Sequence, residues 1–189
     1  MFRGVDTGRV GKSAWATAAV TVAVLCLASS ALAEPSLEYA VKAAYLYKLA
    51  AFVDWPPSSF EGPSSPLHIC IIGDDPFKTT LDQAVAGVSI AGRPVQVARH
   101  DAAQPNMGCQ IAYVAGSPAQ SRADALRVLK GEAVLTVTDQ GRDPGAEQGI
   151  VSFVLKDNRV RFEIDQREAI DDHLALSGKL LSLALEVRR

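Results

Sequence analysis

Downstream of Ser36, apolar side chains recur at Val41, Ala44, Tyr45, Leu49, Phe52 and Val53. That is the i, i+3/i+4 spacing of one face of an α-helix. Ser36 can cap its start, and Glu38 suits the positive end of the helix dipole. Pro56 and Pro57 predict its end, because proline disfavours the α conformation of the residue before it. Trp55 then sits at a fixed exit, where its ring can close over a core.

Beyond the prolines the period changes. Residues 56–66 are rich in proline, serine and glycine and predict a surface loop. Residues 67–73 are almost wholly apolar and rich in β-branched side chains, which predicts a strand buried on both faces of a parallel sheet. Asp75 as cap and Pro76 at the first position predict a helix running to about Ala86. Residues 92–98 and 109–115 read as two further strands. Ser117 and Pro118 open a helix with Ala119, Ala123, Leu126 and Leu129 towards the core, and Gly131 ends it. Residues 133–138 form the next strand. Strands alternating with helices predict an α/β layer fold.

After a polar, glycine-rich loop over 139–149, the pattern turns antiparallel. Residues 150–155 and 160–164 flank Lys156-Asp157-Asn158-Arg159, a hairpin turn. Val160, Phe162 and Ile164 point inward, and Arg161, Glu163 and Asp165 outward, because side chains alternate across a strand. Asp165 and Glu168 have the spacing of a capping box. The last helix then carries Ile170, Leu174, Leu180, Leu181, Leu183 and Leu185, with a break near Ser177-Gly178. The fold class that follows is α/β: a three-layer α/β/α sandwich with a mixed, mainly parallel sheet and a C-terminal antiparallel hairpin.

The first 33 residues do not fit this scheme. Arg3, Arg9 and Lys12 make a basic start, residues 14–27 are mostly apolar, and Ala31-Leu32-Ala33 is a small-x-small cleavage site. This is the pattern of a secretory signal peptide over 1–33, with the exported domain over 34–189. Gly11-Lys12-Ser13 resembles the end of a phosphate loop, but Asp6 stands where the first glycine is required. Cys26 follows Leu25, which is too large for a lipidation site. Without residues 1–33 the chain has 16 basic and 20 acidic residues, a net charge of −4. No basic stripe remains, which argues against nucleic acid as a partner. The last helix is interrupted by Lys179 and Glu186, so it reads as a core helix rather than a membrane span.

Candidate chemistry is sparse. Cys70 and Cys109 are an even pair, which in an exported protein favours a disulfide over two buried free thiols. No Cys-x-x-Cys spacing or histidine cluster supports a metal pair. His68, His100 and His173 are scattered: His68 in a buried strand, His100 in a loop, His173 on a helix. No Gly-x-Ser-x-Gly elbow accompanies them, and no catalytic residue, metal or cofactor is assigned. Asp74 and Asp75 follow the first sheet strand, where open α/β sheets often bind ligands. Helix capping and solvation are the simpler account of them. A receiver-type phosphorylation site would need a further aspartate after the third parallel strand, and Val114-Ala115-Gly116 supplies none. The row Arg161, Glu163 and Asp165 reads as a solvated face. If a partner docks beside the hairpin, Glu163, Ile164, Arg167 and Ile170 are the candidate contacts.

Four features resemble one family in order. They are the tyrosine-rich helix closing on Trp55-Pro56 and the strand Ile69-Cys70-Ile71-Ile72-Gly73 followed by Asp75-Pro76-Phe77. They continue with Leu135-Thr136-Val137-Thr138-Asp139, a glycine loop and the Ile150 and Val160 strands, and end on Lys179-Leu180-Leu181. Together they resemble the YfiR family of exported bacterial proteins across the whole exported domain. The resemblance implies a periplasmic α/β/α domain without catalytic activity. It implies a partner, the periplasmic sensing domain of an inner-membrane diguanylate cyclase, which the protein binds and inhibits until envelope or redox stress relieves it. It also implies a homodimer, and its cysteine pair matches Cys70 and Cys109. The alternative is a periplasmic small-ligand-binding sensory module with a different membrane partner. Two departures stand out. Some relatives carry a second cysteine pair where residues 139–152 have none, and many have histidine where this chain has Gln110.

Overall fold

The computed structural model describes residues 37–140 and 145–189; the expected signal peptide lies outside them. The chain opens with α1 (Leu37–Leu49), continues through a short 3-10 turn, and enters the two-residue strand β1 (Val53–Asp54) before Pro56. The α-helix is therefore shorter than its sequence pattern. Its phase also differs. Lys42, Ala43, Leu46 and Leu49 are the buried positions, while Val41 is 38% exposed. The helix is apolar on several sides, so periodicity alone does not select the buried face. Trp55 does close over the core, half-buried, with its indole N–H donating to the Gln110 carbonyl at 3.1 Å.

Next come β2 (Leu67–Gly73), α2 (Thr79–Val85), β3 (Ser89–Ile90) and β4 (Arg93–His100). The helix α2 starts a turn later than expected. The Asp75 carboxylate accepts from the backbone N–H of Phe77 and Lys78, and this closes a turn ahead of the helix. Then follow β5 (Ile111–Gly116), α3 (Arg122–Leu129) and β6 (Leu135–Asp139). The cap of α3 is Ser121, whose hydroxyl accepts from Asp124 N–H, and Ala119 is exposed outside the helix. The hairpin is β7 (Val151–Lys156) and β8 (Arg159–Asp165). Its turn residues Asp157 and Asn158 both have positive φ, the conformation a tight two-residue hairpin requires.

The C-terminal segment is the largest difference. One broken helix was expected. The chain instead forms α4 (Gln166–Asp171), β9 (Ala175–Leu176), α5 (Gly178–Leu183) and β10 (Val187–Arg188). The stop is local: His173 takes φ of 62°, which no helix continues. The strand β9 then pairs antiparallel with β1, far away in sequence.

The main sheet has eight strands in the order β10-β8-β7-β6-β5-β2-β4-β3. Its pairs are parallel except β7 with β8 and β3 with β4. This is the mixed, mainly parallel sheet the sequence predicts. The two faces carry unequal cores. Leu67, Ile69, Ile71, Ile111, Tyr113 and Val137 face the larger one, with α1, α2, α4 and α5. Cys70, Ile72, Ala112 and Val114 face a smaller one, covered by α3 through Ala125, Leu126 and Leu129.

Candidate functional site

Cys70 and Cys109 form a disulfide with Cα atoms 5.8 Å apart. Alternation along β2 places Cys70 and Ile72 on the α3 side of the sheet, and Cys109 arrives from the residues just before β5. Both cysteines are buried. Gln110 follows Cys109 and is 2% exposed. Its side-chain oxygen accepts from His68 N–H at 2.7 Å, and its amide nitrogen donates to the Ser59 carbonyl at 2.6 Å. Gln110 thus ties the proline-rich loop to β2 beside the disulfide. His100 is the last residue of β4 rather than a loop residue as expected.

The four residues singled out near the hairpin separate into two groups. Val160, Phe162 and Ile164 point inward, as alternation predicts. Ile164 is 1% exposed, so it belongs to the core and is removed from any contact surface. Glu163 is half-buried, and Arg167 and Ile170 are exposed. Arg167 and Ile170 are three apart on α4, on neighbouring positions of one helix face. Ile170 is 63% exposed and lines a cleft of ≈ 380 Å³ with Gln166, His173 and Leu176. The β7–β8 hairpin lies one strand in from the sheet edge, and the edge itself is β10. The strand β10 lies parallel along β8, with Ile164 N–H donating to the Glu186 carbonyl and Leu185 N–H to that of Phe162.

Beneath this face sit two perturbed acids. Asp165 caps α4, accepting from Glu168 N–H at 3.0 Å, as the capping spacing predicts. Burial, then the negative charges of Asp172 and Asp165, push the Glu168 carboxyl above its usual range. Burial also pushes Asp172 up, against the opposing hydrogen bond that it accepts from Gly131 N–H at 2.7 Å.

Asp74 and Asp75 lie at the carboxyl end of β2, where the chain order switches between β4 and β5. The backbone is tightly closed there. Gly73 has φ of 84°, and a Cβ on it would stand 2.4 Å from the Gly116 carbonyl oxygen. Asp74 N–H donates to that same oxygen at 3.0 Å. Besides capping, Asp75 pairs with Arg99 at 2.7 Å, and Arg99 also reaches Asp82 at 2.6 Å. Both carboxylate oxygens of Asp75 therefore have partners. Asp74 is exposed.

One buried polar group was not legible in advance. Lys42, 1% exposed, pairs with Asp139 at 2.5 Å and with Glu38 on its own helix. Tyr39 donates to the same Asp139 oxygen at 3.1 Å. Burial alone would lower the Lys42 pKa; the hydrogen bonds to Asp139 and Glu38 outweigh it and raise it. The signal was present in the sequence as Glu38 four residues before Lys42, a helix pair.

No helix among the described residues is long and apolar enough to cross a membrane. A family model described as YfiR/HmsC-like matches residues 39–185. No curated protein matches the chain.

Proposed function

This chain belongs to the YfiR/HmsC-like family, and on that premise we propose that it is a periplasmic regulator in cyclic-di-GMP signalling that acts by contact rather than by bond-making. Its partner is the periplasmic sensing domain of an inner-membrane diguanylate cyclase. Binding holds that cyclase inactive, and envelope or redox stress relieves the inhibition. The observation that carries this reading is the extent of the family match, which runs from α1 to the last residues before β10.

The contact surface we assign is the outer face of α4, with Arg167 and Ile170, beside Glu163 on β8. An apolar side chain left 63% exposed next to a cleft is the kind of anchor an interface uses. Regulation then follows from differential affinity: the protein shifts the cyclase only if it binds the inactive state more tightly. A homodimer, as the resemblance implies, would present this face twice.

The test is genetic and biochemical. Deleting the gene should raise cellular cyclic-di-GMP, and affinity purification from membranes should recover the cyclase. Ile170→Asp should raise cyclic-di-GMP as deletion does and fail to recover the cyclase, while keeping the wild-type melting temperature. Unchanged cyclic-di-GMP on deletion would defeat the proposal.

A further inference from the structure

We propose that reducing the Cys70–Cys109 disulfide uncovers a site for one thiophilic metal ion, Zn²⁺ or Cu⁺, held by the two thiolates and the imidazole of His100. The inference is independent of which protein the chain binds.

Three neighbouring strands assemble the ligand set. Cys70 on β2 lies opposite Ala98 on β4, so His100, two residues on, shares its face of the sheet. Cys109 comes from the other flank of β2, just ahead of β5. One ligand atom from each of Cys70, His100 and Cys109 lies within 4.8 Å of the others. Two thiolates on one tetrahedral zinc stand about 3.8 Å apart, given Zn–S bonds of about 2.3 Å. The triad therefore needs only side-chain rotation, on a backbone fixed by a parallel sheet.

A second observation points the same way. His100 Nε2 is buried and has no hydrogen-bond partner among the described residues. Buried ring nitrogens are nearly always satisfied. A disulfide offers this imidazole no strong partner; a metal ion would. The site is also reachable. A cleft of ≈ 270 Å³ is lined by Cys70, His100, Met107, His68 and Gln110. A second, of ≈ 360 Å³, reaches Cys109. Glu61 lines both clefts and Glu132 the second, but the three atoms that converge are two sulfurs and a ring nitrogen, a soft donor set that disfavours Mg²⁺ or Ca²⁺. Met107, on the wall of the first cleft, offers a thioether that would suit Cu⁺ further.

The redox step balances with a dithiol reductant. Its two thiols become a disulfide as the Cys70–Cys109 bond breaks, and two protons and two electrons pass to the protein sulfurs. Metal binding then releases those two protons, because thiolates are the ligands.

The test uses protein reduced with a phosphine, desalted without oxygen, and titrated with Co²⁺, Zn²⁺ and Cu⁺ separately. Reduced protein should bind one equivalent, and Co²⁺ should give thiolate charge-transfer bands in the near ultraviolet. Oxidised protein should bind none. His100→Ala, whose disulfide form serves as the folding check, should weaken binding by at least roughly tenfold when reduced, since even outer partners of a metal ligand are worth that much. His100→Gln should do the same if the alanine variant does not fold. Equal binding by the oxidised form, no binding by the reduced form, or unchanged affinity in a folded His100 variant would each overturn the proposal. Tighter retention of Zn²⁺ or of Cu⁺ then identifies which of the two ions the site prefers, and either result supports it.

Discussion

A buried lysine persists in a core only where its charge is met. Lys42 is met by Asp139 and Glu38, with Tyr39 donating to Asp139 as well. Removing the ammonium leaves a buried carboxylate uncompensated, whereas removing both charges does not. Lys42→Met should therefore cost about 3 kcal/mol in urea unfolding. The same change in an Asp139→Asn background should cost much less, and equal costs in the two backgrounds would show that no pair exists. The residue also explains why the face of α1 was misjudged from the pattern. Hydrophobicity nominates Val41, Ala44 and Tyr45. The helix turns instead so that Lys42 reaches the end of β6, with Leu46 and Leu49 buried on the same side. Tyr45, still half-buried, meets Phe162 with ring centroids 5.8 Å apart. A long-range charge partner fixes the phase, and nothing within α1 identifies that partner.

Local signals predicted elements well where their partners were local. The hairpin turn at Asp157-Asn158 and the Asp165 cap of α4 are where spacing puts them. The C-terminal helix was expected to break only near Ser177-Gly178, because apolar spacing signals neither the positive φ that stops it at His173 nor the strand that follows. Two residues, Ala175 and Leu176, become a strand only when Val53 and Asp54 are beside them. The element with the most testable electrostatics is α4. Glu168 and Asp172 are one turn apart, both pushed up, chiefly by burial. Raised carboxyl groups hold protons better folded than unfolded, so they weigh against the fold at neutral pH. That cost disappears as pH falls through their folded values towards the usual carboxylate range of about 4. The neutral Glu168→Gln keeps the capping spacing. It should raise stability at neutral pH and flatten the dependence from there down towards the usual carboxylate range. A variant whose stability follows pH as steeply as wild type would mean Glu168 carries none of it.

At the scale of the whole molecule, alternating strands and helices were enough to predict three layers, but not their inequality. The sheet order places the larger core under α1, α2, α4 and α5 and leaves α3 alone over the thinner one. The disulfide lies within that thin layer, between β2 and the start of β5. It closes 39 residues of chain, including all of α2, β3 and β4. The chain-entropy model assigns such a loop about 4 kcal/mol. Stability is distributed unevenly in a fold of this kind, and the side with fewer buried apolar contacts opens first. Reduction should accordingly lower the urea midpoint and speed amide exchange most in α3 and β4. Exchange in the β7–β8 hairpin, packed on the larger core, should change least at low denaturant. Uniform acceleration across every strand would mean that the two cores fail as one unit, and that the bridge supports the whole sheet rather than its weaker face.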